Sequence, residues 1–327
     1  MIAITGANGL LGNSILKKLV SEKIPAVGLK RANSDLLNSA KDLEWREADV
    51  INSLSLTEAL KNIDTVIHTA AVVSFDPRAK ERIFQTNVIG TQNVVNACIA
   101  LGISRLIFIS SVAALGRKKG VKEINEENKW VDSDLNSDYA KSKYLAELEI
   151  YRGQEEGLSI SIVSPSVILA PANPNKSSAQ LFKYVNDERL FYADGHINYV
   201  DTRDVADVVF NIYRNKIAGE KFIANAGSIN VKELISKIAL RLNKKEPSIK
   251  INPKLLLASA WLEEMRCKFT RNEVLISRQS VKSSREKFIY QNQKSIDRLN
   301  IAYRPLDETL DWCCEYYRDA FTTNKQK

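Results

Sequence analysis

The 327-residue chain predicts an α/β fold, a doubly wound parallel sheet with a smaller, mostly helical C-terminal lobe. Three observations predict it. Apolar runs alternate with helix-periodic segments through the first 165 residues, the pattern of a parallel sheet with helices on both faces. A glycine-punctuated turn, Thr5-Gly6-Ala7-Asn8-Gly9-Leu10-Leu11-Gly12, joins the first run to the first helix. After Pro165 the rhythm changes to polar loops and helices.

Each element follows from local pattern. Met1–Ile4 is a short apolar strand, and Leu10, Leu11, Ile15, Leu16, Leu19 and Val20 recur at helical spacing behind it. Ala26–Leu29 reads as the second strand and Leu43–Arg46 as the third. Leu54–Lys61 reads as a short helix and Thr65–His68 as a strand. One long helix is expected from Lys80 to Ala100, closed by Gly102. Arg105–Ser110 is a continuous apolar run, as in a strand buried on both faces. A helix over Asp138–Glu156 stops at Gly157, and Ser159–Ser164 is a strand ended by Pro165. Further on, a helical stretch lies near Phe182, a helix over Arg203–Arg214, a strand over Lys221–Ala224 and a helix over Val231–Leu242. The last ninety residues read as mostly helical with a break at Arg304-Pro305, and Thr322–Lys327 as a disordered tail.

Composition narrows the function. With 44% hydrophobic residues the chain can bury a large core. Four cysteines without Cys-x-x-Cys spacing and only two histidines argue against a disulfide scaffold or a His/Cys metal site, and fit a reducing cytoplasm. Cys313-Cys314 reads as a helix pair rather than a redox switch. Leu255–Leu262 is too short to span a bilayer, and no basic signal-peptide region precedes the first strand. The net charge of +8 is spread out, with small clusters at Arg117-Lys118-Lys119 and Lys244-Lys245, so solvated surface is expected rather than a nucleic-acid face.

The glycine turn has the spacing Gly-x-x-Gly-x-x-Gly. Between a strand and a helix such a turn can cradle a pyrophosphate, because the backbone comes close and the helix N-terminus offers unpaired N–H groups. Alone, the spacing also suits an ordinary loop. Tyr139 and Lys143 stand four apart on one face of a helix, after Ser110-Ser111 at the end of a central strand. Ligands of open α/β sheets bind at those strand ends. Tyr290 and Lys294 repeat the spacing, with no strand-end serine before them.

In this order the motifs resemble the extended short-chain dehydrogenase/reductase superfamily, the NAD-dependent epimerase/dehydratase group. The resemblance covers nearly all of residues 1–240. It includes Thr5–Gly12, Asp49-Val50, Val66–Ala71, Asn87–Thr91, Ser110-Ser111 with Gly116, Tyr139 with Lys143, Pro165-Ser166-Val167 and Tyr199–Ala206. It implies a Rossmann-type domain over 1–165, with 196–227 returning to it, and a substrate lobe over 166–195 and 228–321. It implies Tyr139 as proton donor, Lys143 as the cation that steadies the phenolate and holds the nicotinamide ribose, and Ser111, five residues before Gly116, as the hydroxyl orienting the carbonyl oxygen. A free phenol titrates near ~10, so the phenolate needs such a cation. Ser110 reads as a buried strand-end hydroxyl bonded to backbone.

Cofactor contacts carry over to Thr5, Gly6, Asn8, Gly9, Leu10, Leu11, Gly12, Asp49, Val50, Thr69, Ala70, Ala71, Asn87, Pro165 and Val167, beside Tyr139 and Lys143. Asp49 resembles the acid that meets the adenine amine, with a helix N-cap role as the alternative. Ala70-Ala71 either admit the cofactor or simply pack closely. Asn87 fixes backbone or a water relay, or is structural. His68 reads as a satisfied core histidine, and Asp204 as the residue that caps or pins the helix after it. At the second strand's end, Lys30 and Arg31 stand where an NAD-preferring enzyme carries an acid, which favours NADP(H) over NAD(H), with plain surface charge as the alternative.

The stretches Val66–Asp76 and Ser164–Val167 are similar to the dihydroflavonol 4-reductase and 3β-hydroxysteroid dehydrogenase branch. Residues 163–171 lack the asparagine and glycine that sugar-nucleotide epimerases carry there. The leading expectation is an NADPH-dependent reductase of a ketone or aldehyde, taking a small-molecule carbonyl or hydroxyl substrate. A nucleotide-sugar epimerase/dehydratase is the second reading, and a non-enzymatic NADP-sensing regulator the third. Relatives often dimerise through the two long helices flanking the site, so a homodimer is the candidate assembly.

Overall fold

A computed structural model describes residues 1–34, 43–117, 120–133, 135–174, 178–252, 255 and 287–323. In chain order its strands begin with β1 (Ile2–Thr5), β2 (Ala26–Lys30), β3 (Trp45–Glu47), β4 (Thr65–His68), β5 (Arg105–Ile109), β6 (Glu123–Ile124) and β7 (Ser159–Pro165). They continue with β8 (Val167–Leu169), β9 (Phe191–Tyr192), β10 (His196–Asp201), β11 (Glu220–Ala224), β12 (Gly227–Asn230), β13 (Ile249–Lys250) and β14 (Ile289–Tyr290). The helices are α1 (Leu10–Ser21), α2 (Ser53–Ala59), α3 (Lys80–Phe84), α4 (Gly90–Ala100) and α5 (Asp138–Glu155). After them come α6 (Ala179–Asn186), α7 (Thr202–Arg214), α8 (Val231–Leu242), α9 (Gln293–Leu299) and α10 (Leu306–Thr323).

Seven strands form one sheet in the order β11-β7-β5-β4-β1-β2-β3, with every pairing parallel. The chain reverses its direction of travel across the sheet between β1 and β4, the switch point beside whose C-terminal strand ends ligands of open α/β sheets bind in a crevice. The central strand β5 shows why the sheet is apolar throughout. Ile107 and Ile109 join one core with α1 and α7, while Leu106 and Phe108 join another with α2, α4 and α5. Alternate side chains thus point to opposite, equally covered faces.

Most predicted elements appear within a residue or two of their expected ends. β3 starts at Trp45 rather than Leu43. The expected helix over Lys80–Ala100 is interrupted by a π-helical stretch, Gln85–Ile89. Ser137 caps α5, its Oγ accepting from the Ala140 N–H at 3.0 Å. The cap of α7 is Asp201, not Asp204: its Oδ1 accepts from the Arg203 N–H at 2.8 Å. Asp204 lies inside that helix, buried, and accepts from the Arg304 N–H at 3.0 Å and from its guanidinium, pinning a distant segment rather than its own helix.

Beyond β7 a three-stranded sheet, β12-β10-β8, and a cluster of Phe182, Leu234, Ile238, Leu310 and Tyr317 build a second apolar centre. The described C-terminal residues include β13 and β14 besides helices, and about a third of the expected helical stretch, 256–286, lies outside the described residues. α10 includes Thr322 and Thr323, which the sequence placed in a disordered tail; the rest of that stretch, 324–327, lies outside the described residues. Cys313 and Cys314 are free, buried and adjacent on α10. Among the described residues no helix is long and apolar enough to cross a membrane, and no group of three metal-ligating side chains occurs.

Candidate active site

The glycine loop turns immediately after β1. Gly6 adopts φ +66°, a conformation side chains disfavour, and a Cβ there would lie 2.8 Å from Ala70 Cα. At Gly12 a Cβ would collide with the Gly6 carbonyl and the Ala7 backbone. Gly9 caps α1 with no side-chain hydrogen bond, so the first turn keeps its N–H groups for another acceptor. Asn8 and Leu10 are partly buried beside the exposed Gly9, and Leu11 is core.

The loop after β4 closes the other side of the crevice. Thr69 Oγ1 donates to the Thr5 carbonyl at 2.6 Å, and the Ala70 N–H donates to Thr5 Oγ1 at 3.3 Å. Ala70 is therefore packed against Gly6, while Ala71 is partly buried. His68 is fully buried, with Nδ1 2.6 Å from Thr5 Oγ1 and Nε2 3.0 Å from Thr91 Oγ1. Burial, and then the Lys143 charge, push its pKa down to about 3. It is a satisfied core histidine, and it occupies the Thr5 side chain. Asn87, within the π-helical stretch, accepts from the Val72 N–H at 2.7 Å and donates to the Val72 carbonyl at 3.0 Å and to Ser142 Oγ at 2.9 Å. Both of its amide hydrogens go to protein, which is the backbone-fixing arrangement.

β5 ends at Ile109, and Ser111 caps the short 3₁₀ turn Val112–Ala114, its Oγ accepting from the Ala113 N–H at 3.1 Å. The Ser111 hydroxyl lies close enough to the Tyr139 phenol to favour its ionised form. Burial raises the Tyr139 pKa, while the Ser111 hydroxyl and the charge of Arg117 pull it the other way. Lys143 lies one turn further along α5 and is buried, with Nζ donating to the Ile109 carbonyl at 2.7 Å and 4.6 Å above the Phe108 ring. Burial lowers its pKa to about 7, against a raising effect of the Glu147 carboxylate. Ser111, Tyr139 and Lys143 thus converge at the C-terminal end of the central strand. The competing pair does not: Tyr290 is in β14, Lys294 is in α9, and the Tyr290 hydroxyl accepts from Arg117 Nε at 3.1 Å.

Other predicted positions divide. Lys30 ends β2 and lies 3.6 Å from Glu47 of β3, while Arg31 beyond it is exposed and has no acidic partner among the described residues. Asp49 does not cap α2; Asn52 does, and Asp49 Oδ1 accepts from the Ile51 N–H at 3.1 Å. Val50 is buried against Gly90, and its carbonyl accepts from Asn93 Nδ2 at 2.9 Å. Pro165 is buried at the end of β7, and Val167 opens β8 with its side chain exposed. Ser110 is buried as expected, but its hydroxyl donates to Glu147 Oε1 at 2.6 Å instead of to backbone.

Residues 2–227 match the NAD dependent epimerase/dehydratase family. The chain belongs to that family. A protein of Synechocystis sp. named "Putative dihydroflavonol 4-reductase" is 25% identical over 315 residues, covering 94% of this chain and 91% of that protein. Cinnamoyl-CoA reductase 1 of Petunia hybrida is 27% identical over 258 residues, covering 72% and 77%. The crystal structure of gox2253 superposes with a TM-score of 0.84 at 26% identity, covering 98% of both chains. The chain is accordingly an NAD(P)-dependent enzyme of CH–OH/C=O chemistry.

For this epimerase/dehydratase-family member the crevice fits the dinucleotide that the family name implies. A glycine loop that no Cβ could enter faces an uncapped helix start, the arrangement that receives a pyrophosphate. Two features of the site escape motif reading. Glu147 bonds Ser110 and Lys221; its position one turn after Lys143 on the same helix face was the available signal. Phe75, half exposed, meets Tyr139 edge-on at 6.3 Å, and no short motif announces it.

Proposed function

We propose that this enzyme is an NADPH-dependent reductase of a ketone or aldehyde. The observation that carries the reading is Tyr139, a phenol whose pKa burial keeps raised, close to the Ser111 hydroxyl at the strand end and one helical turn from the buried Lys143. A protonated phenol is an acid in place, which is what a reduction requires. Bound NADPH supplies the hydride. The Ser111 hydroxyl donates a hydrogen bond to the substrate carbonyl oxygen, and Tyr139 Oη gives its proton to that oxygen as negative charge develops. Lys143, fixed on the Ile109 carbonyl, steadies the resulting phenolate and takes the ribose hydroxyls.

Reduction is favoured over sugar-nucleotide epimerisation by the same surroundings. Phe75, 50% exposed, presents an apolar ring beside Tyr139, suited to a carbonyl with an apolar substituent. Residues 163–171 lack the epimerase asparagine and glycine, and the two relatives quoted are named reductases. Arg31 supports the NADPH preference, since a guanidinium pairs with a 2′-phosphate where an acid would repel it. In the same reading residues 1–165 and 196–227 hold the cofactor, and 166–195 with 228–321 shape the substrate pocket. Asp49 meets the adenine, and the loop residues Thr5–Gly12 and Thr69–Ala71 line the dinucleotide. A cytoplasmic homodimer through α4 and α5 completes it.

The test is NADPH oxidation over a panel of ketones, aldehydes and UDP-sugars, with NADH in parallel. Turnover of a carbonyl with at least tenfold preference for NADPH is expected. Arg31→Asp then reverses that preference by about 2 kcal/mol, the worth of a charge-assisted hydrogen bond. Equal use of NADH by the wild type would remove the cofactor assignment. Interconversion of a UDP-sugar without net NADPH oxidation would favour the epimerase.

A further inference from the structure

Behind the proposed catalytic trio lies a second layer of buried charge. Glu147 is 3% exposed and stands one turn after Lys143 on α5. Its Oε1 accepts from Ser110 Oγ at 2.6 Å and its Oε2 from Lys221 Nζ, on β11, at 2.5 Å. Ser110 is the residue between the two backbone positions the site depends on. On one side is Ile109, whose carbonyl holds Lys143 Nζ at 2.7 Å; on the other is Ser111, whose hydroxyl acts on the Tyr139 phenol. One carboxylate therefore clamps the strand end that carries both contacts.

The same carboxylate acts through its charge. The titratable groups acting on or beside Lys143 are Tyr139 and Glu147 from α5 and His68 from β4, while β5 presents the Phe108 ring and the Ile109 carbonyl. His68 is held neutral and Tyr139 protonated, so Glu147 supplies the negative charge beside the buried ammonium. An isolated buried ammonium loses its proton readily. A purely structural Glu147–Lys221 pair would be poor value for the fold, because buried ion pairs roughly break even against apolar replacements.

We propose that Glu147 is a positioning residue for the reaction: it fixes the Ile109–Ser111 strand end and keeps Lys143 charged. This rests on the reading of Lys143 and Tyr139 given above. In reduction a neutral Lys143 could not steady the phenolate, so losing Glu147 acts on the alkaline side of the activity profile.

The test reads the lysine directly in the ligand-free protein. Lysine carrying ¹³C at Cε is incorporated, the Lys143 resonance is assigned by its loss in Lys143→Met, and its titration is followed by NMR. In Glu147→Gln the midpoint is expected to fall by about one pH unit, the lower end of the effect of a close opposite charge. Glu147→Asp, which keeps the charge, is expected to restore most of the shift. In turnover assays the alkaline limb of kcat should move down by the same amount. Should Glu147→Gln fail to fold because Lys221 loses its partner, the Glu147→Gln/Lys221→Met double variant removes both members of that pair, and a fall in the Lys143 midpoint is still predicted. An unchanged Lys143 midpoint in whichever variant folds overturns the proposal, even if melting temperature drops. A wild type that reduces no carbonyl would instead remove the reductase reading, and the titration would still decide the action of Glu147 on Lys143.

Discussion

Tyr139, Lys143 and His68 show how burial sets three protonation states within one small region. Burial keeps the phenol protonated, brings the ammonium to about 7 and holds the imidazole neutral with a pKa of about 3. The histidine makes a prediction about stability. Its folded pKa lies below the unfolded value of 6.5, so its contribution is complete above pH 6.5 and is lost as pH falls through 6.5 toward 3. Between pH 7 and pH 5 this one group removes about 2 kcal/mol. Urea denaturation at the two pH values checks it: in His68→Gln that part of the acid sensitivity should vanish, and an unchanged difference would contradict the assignment. That Tyr139 and Lys143 share one helix face was legible because four residues is a local spacing, whereas Ser111 was singled out only by the family resemblance. The partners of Ser110 and Glu147 were not legible, since Lys221 is 74 residues from Glu147 and no short-range pattern links them.

At the scale of elements, the glycine loop and the α3–α4 junction do the placing. The loop was legible because a turn of that tightness needs glycine at Gly6 and Gly12, and the needs of the backbone are written in the sequence. The π-helical stretch Gln85–Ile89 was not legible, because a wider hydrogen-bond register has no compositional mark and the apolar period runs on through it. It carries Asn87, whose three hydrogen bonds join the loop after β4 to α5. Asn87→Ala removes them and leaves the Val72 backbone pair unsatisfied, a loss of about 3 kcal/mol. The expected result is a melting temperature several degrees lower and a raised KM for the cofactor, since Thr69–Ala71 would lose their hold on the crevice. A KM unchanged at any stability would place Asn87 outside cofactor binding.

Across the whole molecule, the alternation of strands and helices was enough to foresee the parallel sheet, while the contacts that attach the C-terminal segments were hidden by distance along the chain. Asp204 is the clearest case. The sequence suggests a helix cap, yet Asp201 takes that role, and Asp204 holds Arg304, 100 residues away. The pair docks the start of α10 on α7. Arg304→Ala leaves a buried carboxylate unpaired and is expected to cost about 3 kcal/mol, and Asp204→Asn/Arg304→Met much less. Thermal denaturation of the two variants decides this; equal losses would mean that packing, and not the ion pair, holds the segment.

The proposed reduction requires that a hydride pass from NADPH to the carbonyl carbon of a separate substrate, matched by a proton from Tyr139. Its most direct test is the reaction of a carbonyl substrate with NADPH deuterated at the transferring position, with the product examined by mass spectrometry. Wild-type enzyme should release an alcohol carrying one deuterium for each cofactor oxidised, and Tyr139→Phe should slow this by about 10²–10⁴-fold, the usual contribution of a positioned acid. Product without deuterium, or full activity in Tyr139→Phe, would contradict it.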